Sequence, residues 1–228
     1  MHPANLDART IDVRAVSKFF GNSAVLHDVT FSVDRGERAL LLGEPGSGKS
    51  TLLKVLAGHV TPSGGRVRIC GVDGRTSRLA LNARIGFVGQ RIGPVGTLGV
   101  ADMLRFSGRA KHLPEDTLEQ RVAEVLELCE LDARAASSKA AEGEHRVREA
   151  VALALLHAPD VLLLDSCLSG HNPRECRAMT RTLDRLRATN LTVLASGGPG
   201  LERAWTADRS FQLRKGRLHH HSDPLEKD

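Results

Sequence analysis

The chain has 228 residues, 41% hydrophobic and 26% charged, which fits one globular domain or one core with a subordinate lobe. Its net charge of +5 is spread along the sequence, as on a solvated basic surface with a mild pull toward phosphates or anionic headgroups. Aromatic residues make up only 3%, with no Tyr, too few for a base-stacking surface, so no nucleic-acid partner is expected.

The first twenty residues lack an apolar core, and no secretory leader is expected from them. Residues 10–16 and 24–33 read as strands from their alternation and β-branched content. ERALLLG (37–43) reads as a short buried strand running into a glycine-rich loop. A helix is predicted from Lys49, ending at Gly58 as its C-terminal cap, followed by strands at RVRIC (66–70) and IGFVG (85–89). From 98 to 158 apolar residues recur at three- and four-residue spacing, the period of helices. VLLLD (161–165) is a continuous apolar run after Pro159 and reads as a buried parallel strand. A helix at 173–188, the strand LTVLAS, a short helix and a last strand at SFQLRKG complete the pattern. Strands alternating with helices imply an α/β fold with a mostly parallel sheet.

The most hydrophobic stretch, VALALLHAPDVLLLD, is interrupted by His157, Pro159, Asp160 and Asp165. A bilayer span needs about 20 apolar residues. Any membrane spans that the protein works with are therefore expected on another polypeptide. Cys70, Cys129, Cys167 and Cys176 form no CxxC pair and read as reduced thiols of a cytosolic chain. His219, His220 and His221 lie near the C-terminus with no Cys or further His beside them, and read as a solvated tail.

Gly43-Glu44-Pro45-Gly46-Ser47-Gly48-Lys49-Ser50, followed by Thr51, fits GxxxxGK[ST] between a predicted strand and a predicted helix. Glycines let backbone N–H groups turn inward around a phosphate at the positive end of the helix. Lys49 then carries charge for the β- and γ-phosphates, and the Ser50 hydroxyl is placed to ligate Mg²⁺. Asp165, at the end of a buried strand, is the expected acidic partner for that metal. The motif predicts a nucleoside triphosphate with Mg²⁺.

Over nearly its whole length the sequence resembles the nucleotide-binding domains of ABC transporters. The resemblance rests on VSKFFGNSAVLHDVTFSVDRGERALLLGEPGSGKSTLLKVLAGHVTPSGGRVRICG, IGFVGQ, LGVADML, LLHAPDVLLLD and ADRSFQLRKGRL, in that order. It implies a P-loop NTPase, RecA-like core with an antiparallel β lobe and an inserted helical lobe. Core and β lobe would take 1–91 and 151–228, and the helical lobe 92–150, within one domain spanning 1–228. It implies further that Phe20 stacks on adenine, and that Gln90 reaches Mg²⁺ and the attacking water and senses a transmembrane partner. Such domains act as dimers, with ATP held between the phosphate loop of one subunit and the signature motif of the other.

The sequence departs from that family where hydrolysis is performed. Ser166 follows Asp165 where the family carries the glutamate general base, whose contribution is typically about 10²–10⁴-fold. The signature position usually reading LSGGQ reads Ala141-Glu142-Gly143-Glu144-His145, with Arg146 and Arg148 keeping the basic spacing that follows. Acids suit a helix N-terminus but not a triphosphate: a unit charge ~6 Å from a doubly charged phosphate costs roughly 5 kcal/mol at an effective dielectric of 20. The segment usually reading SGLD is Ser169-Gly170-His171-Asn172, and the switch histidine falls on Gly198. Paired with an intact partner, such a chain would leave both composite sites defective, one lacking the base and the other facing the acidic signature.

The sequence therefore points to an ATP-binding transporter subunit at the inner face of the cell membrane. Its expected partners are a separate transmembrane permease and a second nucleotide-binding domain, in a homo- or heterodimer, and its own hydrolysis is expected to be weak or absent. The lack of an appended regulatory domain leans this reading toward a simple bacterial exporter. A soluble ABC-type protein acting on ribosomes or DNA is the alternative, although such relatives usually carry two nucleotide domains or a coiled-coil insertion. A P-loop small-molecule kinase would not explain Phe20 and Gln90.

Overall fold

The computed structural model describes residues 9–90, 98–133, 143–166, 180–198, 201 and 205–219, with Gly143 and Glu144 described by backbone alone. Two sheets organise them. Strands β1 (Arg9–Phe20), β2 (Ser23–Asp34), β4 (Gly64–Ile69) and β5 (Val72–Asp73) form an antiparallel sheet in the order β2-β1-β4-β5. Strands β3 (Arg38–Leu42), β6 (Ile85–Val88), β7 (Val161–Asp165), β8 (Thr192–Gly197), β9 (Arg209–Arg214) and β10 (Arg217–His219) form the second, ordered β10-β9-β3-β8-β7-β6. This sheet is parallel apart from the β9–β10 pair.

The unbroken apolar runs of β7 and β8 follow from this placement, since both strands are buried along their whole length. Successive side chains turn to opposite faces. Leu40, Leu162, Leu164, Val193 and Ala195 pack with helices α3 (Val100–Ala110), α4 (Glu115–Leu128) and α5 (Gly143–Leu155). Ala39, Leu41, Val161, Leu163 and Leu194 pack with helix α1 (Lys49–Leu56) and the apolar face of the antiparallel sheet. Phe31 of β2 meets Phe211 of β9 with ring centroids 4.9 Å apart, so the two sheets share one core. Each fully buried Leu or Val here contributes about 1.5–3 kcal/mol relative to exposure.

Local chemistry sets the helix ends. At the end of α1, His59 N–H donates to Lys54 C=O at 2.9 Å and Gly58 N–H to Val55 C=O at 3.1 Å. That Schellman pattern satisfies carbonyls the helix leaves orphaned, and it is the stop expected at Gly58. Glu115 and Asp116 occupy the first turn of α4, where the helix dipole favours acids.

Three elements go beyond the sequence expectation: β5, β10 and helix α2 (Arg78–Arg84). Helix α2 buries only Leu81 and leaves Leu79 85% exposed, so it has no apolar stripe to be read. The helix expected at 173–188 lies partly outside the described residues; residues 180–185 are helical and Leu186–Thr189 forms a 3-10 turn. Among the described residues no helix is long and apolar enough to cross a membrane.

Candidate functional site

The parallel strands deliver their C-terminal ends to one edge of the sheet, where an open α/β sheet binds ligands. Strand β3 ends in the glycine-rich loop, β6 leads to Gln90, β7 ends at Asp165 and β8 leads to Gly198. A cavity of about 480 Å³ opens there, lined by Gly43, Pro45, Gly46, Gly48, Lys49, Ser50, Thr51, Gln90, Ser166 and Gly198, with Val25 from β2. Sequence reasoning had marked all but Val25.

The loop's geometry requires its glycines. Gly48 sits at φ 104°, a left-handed conformation costly for other residues, and a Cβ there would lie 3.0 Å from the Val25 carbonyl oxygen. At Gly43 a Cβ would come within 2.3 Å of the Leu213 carbonyl oxygen. Helix α1 begins directly after Gly48 with no side-chain cap, so N–H groups of its first turn remain available to an anion. The Lys49 ammonium donates to Gly43 C=O at 2.6 Å, Glu44 C=O at 2.9 Å and Ser47 Oγ at 3.3 Å. Burial lowers its pKa, opposed by the nearby charges of Asp165 and Glu44.

Opposite the loop, Asp165 is buried and accepts hydrogen bonds through Oδ1 from Ser50 Oγ at 2.9 Å and Ser196 Oγ at 3.1 Å. Two residues separated by 115 positions thus meet as a metal-binding pair would, hydroxyl against carboxylate. Ser166 stands at the cavity wall with φ 54°, its backbone N–H donating to the carbonyl and hydroxyl oxygens of Ser196 at 3.2 and 3.1 Å. A Cβ at Gly198 would meet nothing within 4 Å. Among the described residues lining the cavity, Lys49 is the one titratable side chain. Neither Ser166 nor Gly198 supplies a base.

Other predicted residues lie apart from this wall. Phe20 ends β1 beside the hairpin turn, half exposed, with the Lys18 ammonium 4.8 Å from its ring centroid; it does not line the cavity. Glu44 is exposed and does not line the cavity. In the signature segment Ala141 and Glu142 lie outside the described residues, and α5 begins at Gly143. His145, in its first turn, places Nδ1 3.0 Å from Oε1 of buried Glu149. Ser169 to Asn172, His220 and His221 also lie outside the described residues.

Sequence reasoning missed a second, larger cavity of about 860 Å³ between β6, α2, α3 and α5. Gly89, the neighbour of Gln90, lines it, as do Leu79, Phe87, Leu113 and Leu153. On its wall His157 Nε2 lies 3.1 Å from the Ile85 carbonyl oxygen and Nδ1 lies 2.9 Å from the Lys111 ammonium. That pattern fixes a neutral imidazole, with Nε2–H donating to the carbonyl and Nδ1 accepting from the lysine. Burial lowers the pKa of His157, with Lys111 acting in the same direction.

The profile of the family described as ABC transporter matches residues 26–169, which takes in the glycine-rich loop, Gln90 and Asp165. The chain belongs to the ABC transporter family. It is 34% identical over 185 residues to the Nod factor export ATP-binding protein I of Cupriavidus pinatubonensis, covering 81% of this cassette and 57% of that protein. It is likewise 34% identical over 226 residues to a sulfate/thiosulfate import ATP-binding protein of Cucumis sativus, covering 95% of this cassette and 63% of the relative. The cassette therefore spans about three fifths of the length of these relatives. The fold agrees: cbiO1 from Clostridium perfringens, part of the ABC transporter complex cbiONQ, superposes with a TM-score of 0.83 over 93% of this chain and 87% of its own, at 23% identity. An ATP-binding subunit of an ABC transporter superposes with a TM-score of 0.76 at 25% identity, over 94% of this chain and 91% of its own. The P-loop α/β fold expected from the sequence is the fold of these cassettes.

Proposed function

We propose that this cassette binds MgATP at the 480 Å³ cavity and gates separate membrane subunits while hydrolysing ATP weakly or not at all. One observation carries the reading. The phosphate-binding wall of the cavity has its loop, lysine, hydroxyl and carboxylate in place, whereas the facing positions hold Ser166 and Gly198.

The residues present suit the cofactor. Uncapped N–H groups at α1 and the Lys49 ammonium match phosphate oxygens, and Ser50, Asp165 and Gln90 match a hard cation that takes oxygen ligands. Bound Mg²⁺ would supply charge neutralisation across the β- and γ-phosphates. Lys49 would exchange its loop carbonyls for those phosphates, and Ser50 would keep its proton donated to Asp165. Phe20 would close the adenine end. At Ser166 a hydroxyl, which donates to the Asp165 carboxylate at 3.4 Å, would offer no base of its own and leave a water molecule unactivated at neutral pH.

The same reading assigns the partners. The apolar groove beside Gln90, with Leu79 85% and Phe106 70% exposed nearby, suits a permease element, so occupancy of the nucleotide site and of the groove would be sensed through one segment. A second nucleotide-binding domain, identical or different, would face the cavity. The protein would sit peripherally on the inner face of the membrane, with 92–150 as a helical lobe moving against 1–91 and 151–228. The two relatives are named for export and for import, and both uses are compatible with this site.

ATP binding and ATP turnover measured together on the purified chain test the proposal. Mg²⁺-dependent binding with negligible turnover is expected. Turnover that Lys49→Ala abolishes and Ser166→Ala leaves unchanged would overturn it. Copurification with ribosomes instead of membranes would overturn the transport assignment.

A further inference from the structure

Ser196 was not marked by any motif. It is 1% exposed, lies in β8 and pairs in register with Asp165 of β7. Neighbouring parallel strands in register project these side chains to the same face. The bonding around it is directional. A serine hydroxyl has one proton to give, and Ser196 Oγ gives it to Asp165 Oδ1 at 3.1 Å. Its lone pairs accept the Ser166 backbone N–H at 3.1 Å. The relay therefore runs from Ser166 N–H through the Ser196 hydroxyl to the Asp165 carboxylate. On the other side, Ser50 Oγ donates to the same Oδ1 at 2.9 Å.

Hydroxyls from helix α1 and strand β8 thus grip one carboxylate oxygen, and the Ser166 hydroxyl reaches the same oxygen more loosely at 3.4 Å. They do so where β7 leaves the sheet and Ser166 turns to φ 54°. A hydroxyl in a fully buried strand is costly unless its hydrogen bonds are made, and at Ser196 they are.

We propose that Ser196 is a positioning residue for Mg²⁺: its hydroxyl holds the Asp165 carboxylate and the Ser166 turn in the orientation that metal-bound nucleotide requires. The proposal rests on the assignment of the cavity to MgATP. Ser196 does not line the cavity and would act through Asp165. Groups of this kind tune a metal site by orienting its ligands, and their loss typically lowers metal affinity about 10- to 100-fold.

The test is titration of nucleotide binding with Mg²⁺ at fixed ATP, set beside ATP binding in EDTA, for the wild type, Ser196→Ala and Ser196→Thr, with thermal unfolding of each. Ser196→Ala is expected to raise the Mg²⁺ concentration for half-maximal effect by about 10-fold or more. Metal-free ATP binding should stay within about twofold, because the phosphate loop is untouched. Ser196→Thr, which keeps the hydroxyl, is expected to restore the Mg²⁺ dependence. An unchanged Mg²⁺ dependence in Ser196→Ala would overturn the proposal, and so would equal losses with and without Mg²⁺, since these mark a structural role alone. Failure of the wild type to bind ATP under any condition would instead overturn the nucleotide assignment on which the proposal stands.

Discussion

The two walls of the 480 Å³ cavity are built to different standards. The loop wall is over-determined: Gly48 is held at φ 104° against Val25 and Leu26, and Lys49 is saturated by three oxygen acceptors. The facing wall is anchored just as firmly through Asp165, Ser166 and Ser196, yet beyond those anchors it presents a hydroxyl and the open space at Gly198. On the proposed reading, holding a triphosphate and splitting one are separable tasks on a single scaffold. Binding chemistry would then belong to the start of α1, and water chemistry to the residues just past β7 and β8.

The contrast can be broken by restoring what the second wall lacks. Ser166→Glu combined with Gly198→His is expected to raise ATP turnover by about 10²–10⁴-fold, the usual contribution of a positioned base. A single-turnover assay in the presence of a partner cassette measures it. If the double variant binds ATP and stays inert, the defect resides in the acidic signature segment at Glu142 and Glu144.

Lys49→Ala attacks the other wall and is expected to cost about 2–5 kcal/mol of ATP binding, the range for truncating one partner of a buried charge pair. Equilibrium binding should show the loss at every Mg²⁺ concentration, unlike the Mg²⁺-selective effect expected of Ser196→Ala. Gly48→Ala is milder in charge but strains the loop: forcing a Cβ into the left-handed region costs about 1–2 kcal/mol, to be seen as a lower Tm together with weaker nucleotide binding.

The smallest effect lies in the groove. Burial lowers the pKa of His157, so the unfolded chain binds more protons than the folded one at mildly acidic pH. Stability contributed by neutral His157 is complete above its unfolded value near 6.5 and is lost as pH falls below it. His157→Gln should therefore flatten the fall in Tm between pH 7 and 5, and leave nucleotide binding at pH 7.5 unchanged. A variant with the wild-type slope would locate the acid sensitivity elsewhere.

Legibility in the sequence followed the same division. The loop is one contiguous motif whose residue types are dictated by phosphate geometry, and β7 announces itself as five buried residues ending in an acid. Ser166 and Gly198 were found because each is fixed by a neighbour, Asp165 in one case and the strand TVLAS in the other. Ser196 could not be found that way. Its role depends on the pairing of β7 with β8, 31 residues apart, and no local pattern encodes that register. The groove was invisible for a related reason: it forms between elements distant in sequence, and α2 at its edge buries only Leu81. Val25 joined the cavity through the approach of β2 to the loop, a tertiary contact that strand alternation alone does not reveal.

The strand order has a consequence for how the protein is made. Strands β3 and β7, which carry the loop and the acid, do not touch each other; β8, formed by Thr192–Gly197, lies between them. A ribosome emits both halves of the proposed site before the segment that brings them into register. Until that late strand slides into the gap, the nascent chain carries two exposed apolar edges and no complete site. Parallel pairings of this range form slowly and leave an aggregation hazard while they wait. On the proposed reading the site cannot be complete until Thr192–Gly197 has been made, so a product truncated before that strand would be a liability for quality control and not a weak competitor for ATP.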